Sequence, residues 1–330
     1  MQNGHYMTGD GNHHRMVEVD MMGNTIHNWD MLERGYTMHH AISQDKQGNI
    51  LATVSKTSAK IANGKDVRIN DFIIRMDPEK GEILQEWDLV HMLDSARYGM
   101  TDYNLTADPY AQNASNWAHN NGIVEWGNNY LATARYQGIF KFNKAGGIEW
   151  IISPHGYWRD RYLKLLLNPL HADGTPITDP DVIAGTKNCD DFEWPWGCHT
   201  AVPLPNGHIF YFNNGYGRNF KLDFTDRKNV YTCGIEYEVD EVNRTVRQVW
   251  QYGKERGTAY FTPARSGVQY LEQTGNRLIC PGMSNVLSNG NRGARVTEVD
   301  PETQEIVFEL ELEDAIYQRV YRMSLYPDNQ

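Results

Sequence analysis

Residues 119–150 read HNNGIVEWGNNYLATARYQGIFKFNKAGGIEW, and the fold follows from how this stretch divides. It holds two strand–turn–strand units laid end to end. One runs from His119 to Arg135 around Gly127; the other runs from Phe140-Lys141-Phe142-Asn143 to Trp150. Side chains alternate between apolar and polar with a period of two before a turn rich in Asn and Gly, which is the signature of a hairpin. Two such hairpins give four antiparallel strands, the content of one propeller blade.

Both units recur along the chain. The second unit returns at Val17-Glu18-Val19-Asp20 to Trp29, Ile74-Arg75-Met76-Asp77 to Trp87, Tyr237-Glu238-Val239-Asp240 to Trp250 and Thr297-Glu298-Val299-Asp300 to Leu310. The first returns at His40 to Lys56 around Gly48, His199 to Gly215 around Gly207 and Gly267 to Met283 around Gly275. The chain therefore reads as one all-β propeller domain over residues 1–330. Its spacing is too uneven for a WD40 array. Insertions at about 90–118 and 155–197 are expected to form loops over one face of the disc. Tyr321 to Pro327 reads as a first strand with no partner after it, and Gly4 to Thr8 as a second strand with none before it. Pairing the two ends would complete a blade and remove two open sheet edges. Five first strands are recognisable this way.

Composition narrows the function. The 330 residues carry a formal net charge of -11, nine Trp and nineteen Tyr, which excludes a disordered chain and disfavours a nucleic-acid or anionic-membrane partner. No apolar run approaches the ~20 residues that span a bilayer. Met1 is followed by polar residues rather than a signal peptide, which suits a cytoplasmic chain or one lacking its leader. Four cysteines, Cys189, Cys198, Cys233 and Cys280, are too few for a disulfide scaffold. Cys189 and Cys198 would close a short loop in an oxidising compartment; ordinary thiols are the plainer reading.

Aligning the first unit on its turn glycine brings the candidate chemistry into view. His40, His119 and His199 each lie eight residues before their glycine, and Tyr321 lies eight before Asn329. First strands line a propeller's central channel, so these side chains are expected to converge from different blades. Arg135, eight residues after Gly127, would sit beside His119, and Lys56 holds the matching place in the His40 blade. Asn121 shares a strand face with His119. One histidine on a strand is usually structural; three in one register beside an arginine call for a shared site. The other histidines outside this register, among them His5, His155, His171 and His208, read as surface, turn or loop residues.

Three neutral histidines would bind a metal with one position open. Arg135 argues against that, because a cation repels a divalent ion and no Asp or Glu shares the register. Imidazole, guanidinium, amide and phenol donors together make a cage for a sulfate or phosphate group, in which one histidine could act as nucleophile. A metal-dependent propeller enzyme, a lyase using His and Tyr as acid and base, and a non-catalytic binding propeller are the alternatives.

At these residues the sequence resembles the bacterial arylsulfotransferases, the PAPS-independent aryl-sulfate sulfotransferases. The matching segments are Trp117-Ala118-His119-Asn120-Asn121, Arg135-Tyr136-Gln137-Gly138, Trp196-Gly197-Cys198-His199-Thr200-Ala201, Val249 to Gly257 and Tyr321-Arg322. The resemblance implies a six-bladed propeller, one blade more than the first strands found here. It implies ping-pong transfer of a sulfuryl group from a phenolic sulfate ester to a phenolic acceptor, with no cofactor and no catalytic metal. It implies that His199 becomes sulfated, that His119 and Arg135 bind the sulfuryl oxygens, that His40 is the remaining channel histidine, and that Asn121 and Tyr321 line the sulfate pocket. Arg265 stands where a small hydroxyl residue is expected, either as an added anion contact or as a bar to some donors. Tyr98, Tyr103, Tyr110, Trp158 and Trp194 in the insertions are candidates to stack on phenol rings. A periplasmic or other extracytoplasmic location and a possible homodimer complete what the resemblance implies.

Overall fold

A computed structural model describes residues 1, 3–10, 14–63, 66–97, 117–284, 293–313 and 316. The chain is a β-propeller, and the described residues form five sheets, antiparallel apart from one added edge strand. Blade one holds β1 (Tyr6–Asp10), β2 (Arg15–Val19) and β3 (Thr25–Asp30). Blade two holds β4 (Thr37–Gln44), β5 (Ile50–Asn63), β6 (Asp66–Met76) and β7 (Ile83–Asp88), followed by the short helix α1 (Leu89–Met92). Blade three holds β8 (Asn120–Trp126), β9 (Asn129–Ala134), β10 (Gly138–Asn143) and β11 (Ile148–Ile152). The insertion after it contains α2 (Asp160–Leu163), β12 (Asn168–Leu170) and α3 (Pro180–Ala184). Blade four holds β13 (His199–Pro203), β14 (Ile209–Asn213), β15 (Cys233–Asp240) and β16 (Thr245–Tyr252), and β12 joins its outer edge parallel to β16. After α4 (Gly257–Tyr260), blade five holds β17 (Ser266–Tyr270), β18 (Arg277–Pro281), β19 (Ala294–Val299) and β20 (Ile306–Leu312).

Around the axis, inner strand meets inner strand: β4 packs on β8, β8 on β13, and β13 on β17. The insertion at 155–197 is built of short helices and one added edge strand, and supplies no further blade. Asn3 and His5 bind Glu18 just as Asn206 and His208 bind Glu236 in blade four, so residues 3–5 form the turn before a second strand. Tyr321 to Pro327, the expected first strand, lies outside the described residues.

The core lies between sheets rather than at the axis, and the two-residue strand period builds it. On β9, Leu131 faces the cluster shared with blade four, where it joins Ile209, Tyr211 and Ile235, while Tyr130 and Ala132 face Ile73 and Trp87 of blade two. On β14, Ile209 and Tyr211 face blade three and Phe210 and Phe212 face Val268 and Ile279 of blade five. Each fully buried side chain of this size contributes about 1.5–3 kcal/mol.

The repeated Asp/Asn and Trp of the sequence each have a task. Asp77 accepts backbone N–H bonds from Glu79 (2.8 Å) and Lys80 (3.0 Å), Asp240 from Val242 (3.0 Å) and Asn243 (2.9 Å), and Asp300 from Glu302 (2.8 Å) and Thr303 (3.1 Å). These side chains close the outer hairpins. The outer-strand tryptophans fasten each blade to the next one in the chain. Trp87 donates its indole N–H to the Lys144 carbonyl (3.0 Å), Trp150 to the Glu241 carboxylate (2.9 Å) and Trp250 to the Pro301 carbonyl (3.0 Å). Each acceptor lies in the outer turn of the following blade. Trp29 covers the equivalent turn of blade two, where its ring leaves no room for a Cβ on Gly81, whose φ is +65°.

Candidate functional site

The inner hairpins of blades two, three and four each carry an irregularity at the channel end. Register shifts between Met38 and Ile42 on β4, between Asn120 and Gly122 on β8, and between His199 and Ala201 on β13. The backbone there turns left-handed at His40 (φ 47°), His119 (54°), Thr200 (23°) and Arg265 (59°). Non-glycine residues hold such angles at a cost of about 1–3 kcal/mol each, and they concentrate at sites where a side chain must be aimed. Four residues bent this way, one from each of four neighbouring blades, mark the mouth of the channel. Gly122 makes the crowding possible: a Cβ on it would come within 2.6 Å of the Thr133 hydroxyl oxygen and 3.4 Å of the Thr200 Cα.

The three predicted histidines converge. The His40 ring lies 4.5 Å from that of His119 and 6.2 Å from that of His199, centroid to centroid. Arg135 is beside His119 as the hairpin register requires, its backbone N–H donating to the His119 carbonyl at 2.9 Å. Its guanidinium lies 4.4 Å over the Tyr216 ring and donates to the Pro263 carbonyl at 2.7 Å, so a cation of blade three grips the loop that carries Arg265. His119 titrates far from its ordinary range. Burial, then Arg135, then His39 and His199, hold its pKa well below the usual imidazole value, so the ring is neutral at pH 7.

His199 is 4% exposed and its tautomer is fixed. Its Nδ1 lies 2.6 Å from Oδ1 of Asn214. The Asn214 amide nitrogen donates to the Thr262 carbonyl (2.9 Å) and the Ser266 hydroxyl (3.2 Å), so its oxygen must face the imidazole and accept from Nδ1–H. Nε2 is therefore left with the lone pair. Asn121, fully buried, donates its amide to the Cys198 carbonyl at 2.9 Å and so supports the residue that precedes His199.

Other expectations are revised. Lys56 does not match Arg135. The β8–β9 turn is two residues, Gly127-Asn128, whereas β4–β5 and β13–β14 are joined by five, so counting from the glycine overshoots in blade two. Lys56 instead lies 2.9 Å from the Glu86 carboxylate and 5.4 Å over the Phe72 ring. Trp158 and Trp194 are 7% and 3% exposed and donate to the Pro154 and Val182 carbonyls, which makes them packing beneath the insertion rather than stacking platforms. Arg265 is exposed at the channel mouth. All four cysteines are free thiols, so no Cys189–Cys198 bridge forms. Tyr98, Tyr103, Tyr110, Tyr321 and Arg322 lie outside the described residues.

A carboxylate does approach the site, one step away from the register. Asp71 on β6 lies 3.4 Å from His39 Nε2 and accepts the Asn120 backbone N–H at 3.0 Å, while the His39 ring meets that of His40 at 5.1 Å. Asn214, His39, Asp71 and Tyr216 are the residues sequence reasoning missed. Asn214 had a signal: it follows Asn213 at the end of β14, the strand paired with His199. The channel imidazoles do not present three nitrogens within ligand distance of one another. Among the described residues the one group that does so with mixed donors is His171, Cys189 and Asp191, in the insertion.

Comparison with known proteins identifies the family. The sequence profile of the family described as arylsulfotransferase (ASST) matches residues 1–322. The chain is 28% identical to the arylsulfate sulfotransferase AssT of Escherichia coli O6:H1 (strain CFT073) over 95% of its own length and 57% of that protein. It is likewise 28% identical to the arylsulfate sulfotransferase AssT of Lelliottia amnigena, again over 95% of itself and 57% of the relative. It thus spans little more than half the length of these curated relatives. Among solved structures, a streptogramin B lyase aligns over 96% of this chain and 82% of that one, at 10% identity and a TM-score of 0.43. The profile match, which takes in the histidines of three blades together, shows that the chain belongs to the arylsulfotransferase family.

Proposed function

We propose that this chain is an aryl-sulfate sulfotransferase that works by a ping-pong mechanism through a sulfohistidine on His199. The observation that carries the reading is the fixed tautomer of His199: with Nδ1–H held by Asn214, Nε2 carries the lone pair that would attack sulfur. The N–S bond forms as the S–O bond to the phenol breaks, and the phenolate leaves with that electron pair. Arg135 and the neutral His119 offer N–H donors to the sulfuryl oxygens, on which charge concentrates during transfer. His39, His40 and Asp71 form a file from the channel to a carboxylate, with His40 placed to pass a proton to the departing oxygen. An acceptor phenol then reverses the steps and gives its proton back to the same file. Arg265, exposed at the mouth, adds an anion contact on entry. A narrow cleft walled by Tyr136, Trp196, Tyr216 and Phe220 adjoins Arg135.

The Arg135 guanidinium beside His119 speaks against a divalent metal held by the three channel histidines. Protein quenched after mixing with a chromogenic phenyl sulfate and no acceptor should carry one sulfuryl adduct on the peptide containing His199. The His199→Asn protein should carry none and turn over no donor. Normal turnover by that variant, or an adduct on another peptide, would remove the nucleophile assignment.

A further inference from the structure

The insertion that leads into His199 carries a second constellation with no part in the sulfuryl chemistry. His171 follows β12, and Cys189 and Asp191 follow α3, on the stretch that continues through Trp194 and Trp196 to the site. Their donor atoms all lie within 4.8 Å of one another. His171 Nδ1 is 3.0 Å from an Asp191 oxygen, and Cys189 Sγ is 3.1 Å from the same oxygen. Tetrahedral zinc, with bonds of about 2.0–2.3 Å, needs ligands about 3.3–3.7 Å apart, so only small side-chain rotations separate this cluster from a coordination shell. The scaffold around it is already set. The second Asp191 oxygen accepts the Ala172 backbone N–H at 2.9 Å, and the His171 backbone N–H closes a turn on the Thr175 carbonyl at 2.8 Å.

The geometry points to a zinc clamp made by His171, Cys189 and Asp191, with water in the fourth position. Imidazole, thiolate and carboxylate together suit Zn²⁺ better than Mg²⁺ or Ca²⁺, which take oxygen ligands alone. On binding, the Cys189 S–H gives up its proton to solvent as the S–Zn bond forms. The ion would join two parts of the insertion separated by about 20 residues of chain. Nothing in this reading depends on the sulfotransferase proposal.

The test uses the full chain, freed of metal by dialysis and titrated with Co²⁺, which reports thiolate ligation as a charge-transfer band in the near ultraviolet. One equivalent should saturate the band. Cys198, Cys233 and Cys280 are buried, so the signal is assigned to the half-exposed Cys189. Cys189→Ser should abolish the band, and His171→Ala should weaken binding by about tenfold or more. Both variants should keep their turnover of a chromogenic sulfate ester, since neither residue touches the channel. The absence of a band in the wild-type chain, binding without thiolate absorption, or a band that survives in Cys189→Ser would overturn the clamp.

Discussion

A single amide decides which nitrogen of His199 can act. Asn214 commits its nitrogen to Thr262 and Ser266, and this obliges its oxygen to hold Nδ1–H. Asn214→Leu should therefore lower kcat by between about 10² and 10⁴, as a mis-set tautomer does in other histidine enzymes, with little change in KM. Asn214→Asp, which keeps an acceptor at Nδ1, should recover part of the loss; steady-state kinetics on both variants checks this. His119 gives a second residue-scale expectation. Its folded-state pKa lies well below the ordinary value, so between about pH 6.5 and that lower pKa the unfolded chain binds a proton that the folded chain does not. Its neutrality therefore costs nothing above about pH 6.5, and stability falls as pH drops below it, by at most about 1.4 kcal/mol per unit. His155, shifted the same way by burial, adds to the slope. His119→Gln should flatten the fall in Tm between pH 7 and pH 5.5 relative to wild type, and equal slopes would remove the assignment.

At the scale of strands and turns, most of the site was legible in the sequence because it rests on register. His40, His119 and His199 share a place relative to a turn glycine, and Arg135 follows from hairpin pairing. What counting missed depends on turn length and on sheet neighbours. Lys56 was misplaced because the two-residue turn at Gly127 does not represent the five-residue turns in blades two and four. Asp71 was invisible because it reaches the site laterally from β6 through His39. The tryptophans that end the outer hairpins were legible as a repeat but not as fasteners. Trp87→Phe removes the bond to Lys144 while keeping most of the buried ring, so it should cost about 1–2 kcal/mol, and Trp87→Ala about 3–5 kcal/mol. Urea unfolding monitored by circular dichroism measures both; a neutral Trp87→Phe would mean the indole bond adds nothing.

For the molecule as a whole, the unit of organisation is the pair of facing sheets. Strands such as β9 and β14 read as continuous apolar runs because each face meets a different neighbour. The interruptions at 90–118 and 155–197 stand out against that pattern, and the second of them places short helices and one edge strand before His199 rather than another blade. An overall charge of -11 also coexists with two arginines beside the channel, since Arg135 donates to the Pro263 carbonyl on the loop that carries Arg265, a local feature bulk composition cannot resolve.

The indole fasteners all run in one sense. Trp29, Trp87, Trp150 and Trp250 each reach for a turn that is later in the chain. A ribosome making this protein therefore releases each of these four sheets before its latch has been translated, and each new sheet secures the one already outside the exit tunnel. Assembly would advance like a zipper drawn from the amino end. At any moment, only the most recently synthesised wedge would be left unfastened.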